Sequence, residues 1–272
     1  TATEAIVAPP RTELQTSSEV PLVEPIDSGD SKQLQNPSTL SDVFTIETPL
    51  LKLTIDLVGG DITQALLKKY PKTIKRPDDS IALLDSANRI YIAQSGLVGT
   101  DGPDAFDSGR PIYTVGKPSY SVSDITDISI STRSKNGLHI TKIFTVDPNS
   151  YDIRIRQEVT NTSNTSKTVT PFVQLKRDNS IDPSVQNSMG MQAFLGFALR
   201  TIDDKYRKVS FSDFADSIDA RELNAELKSI TPEGGYLALL QHYFTTAWIP
   251  DSQQIHKYSF RQTNNDHNIG SI

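Results

Sequence analysis

The sequence predicts an all-β protein with a few short helices, arranged as a sandwich, and three observations carry that expectation. Period-two alternation recurs along the chain, polar turn residues separate the alternating stretches at short intervals, and long amphipathic helical patterns are scarce. The clearest strand is Leu51, Leu53, Ile55 and Leu57 alternating with Lys52, Thr54 and Asp56, broken by Gly59 and Gly60. "DITQALLKKYP" follows and is ambiguous: Ile62, Ala65 and Leu66 suit a helix, Ile62, Gln64 and Leu66 suit a strand, and Pro71 ends the segment either way. "LHITKIFTV" places Ile140, Lys142, Phe144 and Val146 on one face. "YDIRIRQEVTN" sets Ile153, Ile155 and Val159 opposite Arg154, Arg156 and Glu158. The "DPNS" between them supplies turn chemistry, so the two form a hairpin, which "KTVTPFVQLK" continues as a meander with an edge or bulge at Pro171. "SDFADSIDARELNAEL" holds a short helix capped by Ser212 or Asp213.

The most apolar window is "GGYLALLQHYFTTAWIP", residues 234–250. A membrane-spanning helix needs about 20 consecutive apolar residues, and Gln241 and His242 interrupt this run. Tyr236, Ala238, Leu240, His242 and Phe244 fall on one side of an extended chain and Leu237, Leu239, Gln241 and Tyr243 on the other, so both faces are largely apolar. That pattern predicts a strand in the middle of the sandwich, with Trp248 directly after it and Pro250 at its end.

Composition bounds what such a fold can do. The chain has 272 residues, 36% of them hydrophobic, enough for one large domain or two small ones. With 27 basic and 33 acidic residues and a net charge of −6, it carries no field that would gather phosphates along an extended surface, which argues against nucleic acid. The absence of cysteine excludes disulfides, thiolate metal sites and cysteine nucleophiles. From Thr1 to Val43 there is no aromatic residue, and Pro9, Pro10, Pro21, Pro25 and Pro37 sit among Ser, Glu and Gln, so residues 1–43 read as an extended, disordered linker. The N-terminus has no Met, basic segment or apolar core, so either a signal or anchor has been removed or the chain is a fragment.

Motifs for catalysis are missing: no G-x-S-x-G, no phosphate-cradling G-x-x-x-x-G-K-[ST] and no close histidine pair among His139, His242, His256 and His267. Asp101, Asp104 and Asp107 lie three apart in "GTDGPDAFDSGRP", but calcium loops alternate their ligands and close with a distal Glu, so a turn-rich loop is the reading. The sequons at Asn161 and Asn164 read as a polar turn. "LKRDNSIDPS" and "IDDKYRK" read as solvated loops, with a protein contact surface second.

Several stretches resemble a known family. "GGYLALLQHYFTTAWIP", "LTIDLVGGDITQALLKKYP", "AQSGLVGTDGPD", "RPIYTV", "FVQLKRD" and "DDKYRK" occur in the order found in the first large periplasmic loop of the bacterial YidC membrane protein insertases, and together they span residue 44 to the end. The resemblance implies a β-supersandwich of two packed, mainly antiparallel sheets over residues 44–272, similar to galactose-mutarotase-like proteins. The linker would then follow a first transmembrane helix outside this chain. It further implies a non-enzymatic accessory domain, without cofactor, on the periplasmic side of the inner membrane, that assists insertion and folding of inner-membrane proteins and docks to the Sec translocon. The partners implied are SecDF, through SecF, and SecYEG, with nascent membrane proteins reached through the parent protein. By the same resemblance the contact surface lies around "QLKRD" and "DDKYRK", making Lys176, Arg177, Asp204, Lys205 and Tyr206 the candidate residues. The family continues beyond "NDHNIGSI" through further strands to a helix against the membrane, so the sandwich is expected to lack its last strands. Two alternatives remain: a carbohydrate-binding or mutarotase-like domain, with His139, His242, Glu158 and Glu233 as nominal groups, and a periplasmic chaperone for translocated loops.

Overall fold

Alternation becomes strand wherever one face has a layer to bury against. The computed structural model describes residues 20–21, 42–180, 194–200, 205–211, 235–251, 254, 256–263 and 267–272. They divide into two units, Thr1–Ala87 with Ser95–Pro171 and Asn88–Gln94 with Phe172–Ile272. Each unit is a two-layered β-sandwich.

In the first unit β1 (Val43–Glu47), β2 (Leu51–Asp56), β3 (Asp61–Thr73) and β4 (Arg76–Asp85) form an antiparallel meander, and β7 (Ser119–Ser121) adds in parallel beside β1. Opposite lies a sheet in the order β10 (Ile153–Asn161), β9 (Leu138–Val146), β8 (Thr126–Arg133), β6 (Thr114–Val115). Leu51, Leu53 and Ile55 are buried on β2 as their alternation requires. Ile140, Lys142, Phe144 and Val146 are buried on β9, and the Phe44 and Phe144 rings meet edge to face at 6.2 Å. Each such aromatic contributes about 1.5–3 kcal/mol on leaving water, which holds the two layers together. β9 and β10 form the expected hairpin, with Val146 opposite Ile153.

Two expectations are corrected in this unit. The ambiguous segment is a strand, and Pro71 does not end it: β3 continues to Thr73, with register irregularities on both sides of Pro71. A residue without an N–H is tolerated there because the ladder is already broken. The meander also stops at β10, because β11 (Thr170–Arg177) pairs with β17 (Asn268–Ser271) in the second unit. Pro171 stands at the start of β11, before the β17 ladder begins at Gln174.

In the second unit β16 (Ser259–Gln262), β17, β11 and the first half of β5 (Tyr91–Val98, of which the residues up to Gln94 belong to this unit) are neighbours in that order, and a second sheet runs β13 (Arg207–Ser210), β12 (Gly196–Arg200), β14 (Tyr236–Leu240), β15 (Thr245–Trp248). Gly270 on β17 lets the layers close, since a Cβ there would meet the Phe197 ring at 3.0 Å and Leu237 at 3.2 Å. Phe197 and Phe260 complete the contact at 5.5 Å between ring centroids.

The apolar window folds as a hairpin rather than one strand. β14 is central, with Leu237, Ala238 and Leu239 buried, but Gln241 N donates to Phe244 O at 2.9 Å and turns the chain into β15. Gln241 and His242 interrupt the apolar run, and Tyr243 at the turn is left exposed. The helix expected at residues 212–227 lies outside the described residues; among these the helical element is the short 3-10 turn Pro103–Ala105.

Candidate functional site

Three of the stretches that carry the family resemblance converge on one buried cluster in the first unit. The β2–β3 turn supplies Gly59, Gly60 and Asp61; the end of β5 and the loop after it supply Ser95 and Asp104; "RPIYTV" supplies Arg110 and Tyr113. Gly59 N donates to Pro111 O at 2.8 Å and Tyr113 N to Leu57 O at 2.8 Å, so the first and third stretches run side by side. β9 contributes Lys142 from its inner face.

Arg110 links the cluster. Its Nε donates to Asp104 Oδ1 at 2.7 Å, its Nη1 pairs with Asp61, and its Nη2 donates to Ser95 O at 2.9 Å. Asp104 also accepts from Leu97 N at 2.8 Å. Lys142 Nζ has three protons and three carbonyl acceptors: Gly59 O at 2.6 Å, Ser95 O at 2.8 Å and Gly60 O at 3.3 Å. It also lies 5.4 Å from the centre of the Tyr113 ring. All four charged side chains are buried, and their two cations and two carboxylates balance. Such a group is tolerated because every charge has a partner.

The electrostatics follow from that geometry. Burial works against the Arg110 charge, but Asp61 and Asp104 outweigh it and raise its pKa above the ordinary value. Burial pulls Lys142 down to about 8, with Arg110 adding to the effect and Asp61 and Asp104 opposing it. Burial, then Asp104, raises the Tyr113 phenol. Glycine is required around this cluster: Gly59 has φ of 75° and a Cβ on it would collide with the Arg110 guanidinium, while one on Gly96 would collide with the Asp104 carboxylate. The cluster ties three loops to β9 and presents no group to solvent, so its chemistry is structural. Lys142 on an otherwise apolar face was the sequence signal for it.

The candidate contact residues separate by burial. On β11, Lys176 is 5% exposed, and Arg177 is buried with its guanidinium 5.6 Å from the Tyr91 ring centre. Arg177 donates to Asp178 Oδ1 at 2.8 Å and to Ser180 Oγ and O at 2.9 Å. Asp178 in turn accepts from Ile90 N at 2.7 Å. Thus "KRDNS" closes on itself and on the start of β5. Ahead of β13, in the other sheet of the unit, Lys205 and Tyr206 are exposed, Tyr206 by 55%, with Lys208 Nζ 5.8 Å from the tyrosine ring centre. Asp204 lies outside the described residues.

The remaining sequence candidates fall in place singly. The aspartate run is a turn-rich loop in which Asp101 accepts from Thr168 N at 2.9 Å and pairs with Lys167 at 3.0 Å. Asn161 builds a polar turn, accepting from Ser163 N at 2.9 Å. His139 and Glu158 stand on the outer face of the β9–β10 hairpin, Glu158 bonded to Arg156 at 3.2 Å, and His242 lies in the β14–β15 turn. Glu233 is outside the described residues.

Two β-sandwich units, the first of them held by a buried and balanced ion cluster, define an all-β sandwich protein. The chain belongs to the family described as the YidC periplasmic domain, which matches residues 43–272. It is 40% identical over 230 residues to a protein of Marinomonas sp. (strain MWYL1) named membrane protein insertase YidC, covering 84% of this chain and 40% of that one. Proteins of the same name from Azotobacter vinelandii and Pseudomonas fluorescens are 39% and 41% identical, covering 82% and 77% of this chain and 39% and 37% of theirs. The chain thus spans about two fifths of the length of the curated relatives it matches.

Proposed function

We propose that this chain is the periplasmic accessory domain of a YidC-type membrane protein insertase, held on the periplasmic side of the bacterial inner membrane. It assists insertion and folding of inner-membrane proteins by serving as a docking module for the Sec translocon, with SecF of SecDF as its direct contact. Family membership over residues 43–272 carries this reading. The location of the docking surface is supported by exposure: Lys205 and Tyr206 offer an aromatic and a cation to a partner, the residue types enriched where proteins meet. The domain performs no chemistry of its own in this reading.

Photocrosslinkers placed at Lys205 and Tyr206 of the intact parent protein, in native inner membranes, test it. Lys176, which is buried, serves as the internal control. Adducts to SecF or SecD from the two exposed positions support docking. Adducts spread over nascent membrane proteins move the function to a chaperone for translocated loops, and a lack of adducts at either exposed position refutes the proposed surface.

A further inference from the structure

β3 and β4 run on beyond the buried part of their sheet, and from Lys68 to Asp78 all but one of the residues are exposed. This arm, "KKYPKTIKRPDD", carries Lys68, Lys69, Lys72, Lys75 and Arg76 against Asp78 and Asp79, on a chain whose net charge is −6. Lys68 pairs with Glu47 at 2.7 Å, and Asp79 takes Lys72 at 2.8 Å and Arg76 at 3.9 Å. Among the described residues Lys69 and Lys75 form no ion pair. The turn at the tip is Ile74–Lys75, and Ile74 is 97% exposed, more than any other large apolar residue described. Tyr70 stands behind it, 46% exposed, with its ring 6.3 Å from that of Tyr151.

Isoleucine is a poor choice for a two-residue hairpin turn, where Gly, Asn and Asp ease the backbone. At 97% exposure it adds nothing to packing either. Its surroundings point to another use. An apolar tip collared by cations, with a tyrosine one step back, is the arrangement that suits a lipid–water boundary: the aliphatic group enters, the phenol rests at headgroup depth and the lysines reach the phosphates. A specific protein interface needs about 1,000 Å² or more of matched surface, which one side chain on a narrow arm does not supply. A bilayer asks only for insertion plus charge, each cation strengthening the attachment about five-fold.

We propose that the tip of the β3–β4 arm, centred on Ile74 with Lys69, Lys72, Lys75 and Arg76 around it, is a peripheral contact site for an anionic phospholipid surface. The site is independent of the docking residues ahead of β13, so failure of either leaves the other standing. The test is flotation of the full 272-residue chain with vesicles of phosphatidylethanolamine and phosphatidylglycerol, against vesicles of phosphatidylcholine. Binding should require phosphatidylglycerol and weaken with salt. Lys69→Gln and Lys75→Gln should each weaken it about five-fold, and Ile74→Ser about ten-fold. In a Trp248→Phe background, Ile74→Trp should float at least as well as the parent, with its emission shifted to the blue on the vesicles. Absence of phosphatidylglycerol-dependent binding overturns the proposal. Loss of binding on lysine removal with Ile74→Ser unchanged, or an unshifted Ile74→Trp emission, overturns insertion and leaves a polyanion contact.

Discussion

Arg110→Met is the sharpest test of the buried cluster. The substitution keeps most of the side-chain volume but leaves Asp61 and Asp104 with Lys142 as the one remaining cation, so a balanced group acquires an uncompensated negative charge in the interior. Removing one partner from a buried ion pair costs about 3–5 kcal/mol, a large part of the roughly 5–15 kcal/mol that stabilises a typical domain. At about 2–4 °C per kcal/mol for a chain of this class, the melting temperature should fall by roughly 6–20 °C. Because the two units need not unfold together, hydrogen exchange is the better assay: the Gly59 and Leu97 amides, bonded to Pro111 O and Asp104, should exchange about 10²–10⁴-fold faster. Adding Asp61→Asn restores charge balance, so the double variant should recover part of the loss. A drop below about 1 kcal/mol for the single variant, or a double variant less stable than the single, would refute the charge argument.

Four other outcomes are expected. Lys142 has a folded pKa of about 8 against an ordinary 10.5. The unfolded chain therefore binds more protons between those values, and the penalty is full below about 8 and gone above about 10.5. Urea titrations at pH 8 and 9.5 should show stability rising with pH at up to about 1.4 kcal/mol per unit, a slope that Lys142→Met flattens. Above about pH 10 the raised Tyr113 phenol acts in the opposite sense, since the unfolded chain then loses a proton that the folded chain keeps. Gly59→Ala, at a φ of 75° and against Arg110, should cost about 1–2 kcal/mol from backbone strain alone, read by thermal unfolding. Asp178 is opposed by its burial, yet the donors from Ser180 and Ile90 hold its pKa below the ordinary carboxylate value. Its contribution is present above that ordinary value and lost as pH falls through the folded one, and Asp178→Asn should remove this acid transition, followed by Tyr fluorescence. Trp248→Phe deletes the bond from Trp248 Nε1 to Gln174 O at 3.0 Å and should lower stability by about 1 kcal/mol in a denaturant titration.

What the sequence showed depended on whether a signal was local. β2 and β9 were legible because one buried face imposes period two on adjacent residues. The same pattern placed Lys142 on the correct face but was silent on its purpose, since the carbonyls that receive it lie 47 to 83 residues away. Asp61 and Arg110 are 49 residues apart, and no spacing rule joins them. Arg177 looked like a solvated cation because Asp178 follows it in sequence, whereas the fold buries the guanidinium against Asp178 and Ser180, near the Tyr91 ring. The β3–β4 turn was invisible because Ile74 and Lys75 carry none of the usual turn chemistry. The apolar window was read as one strand because a hairpin with apolar arms and a continuous strand differ only at Gln241 and His242.

Much of the resemblance therefore comes from stretches that the fold buries. Three of the stretches that carry it, "LVGGD", "AQSGLVGTDGPD" and "RPIYTV", build the Arg110 cluster, and a fourth, "QLKRD", closes on Ser180 and Tyr91. Residues constrained by a buried charge network cannot drift without exposing an unpaired ion, so they mark the fold whatever the domain binds. A partner can only touch what the fold leaves outside. In the second unit that includes Lys205 and Tyr206, and in the first it includes the arm ending at Ile74. Substitutions in the buried stretches should lower stability and take docking down with it, while substitutions at Tyr206 or Ile74 should alter binding at unchanged stability. A Tyr206→Ala variant that melts like the parent but loses its crosslinks would separate the two roles; one that loses stability by more than about 1 kcal/mol would place Tyr206 with the structural set.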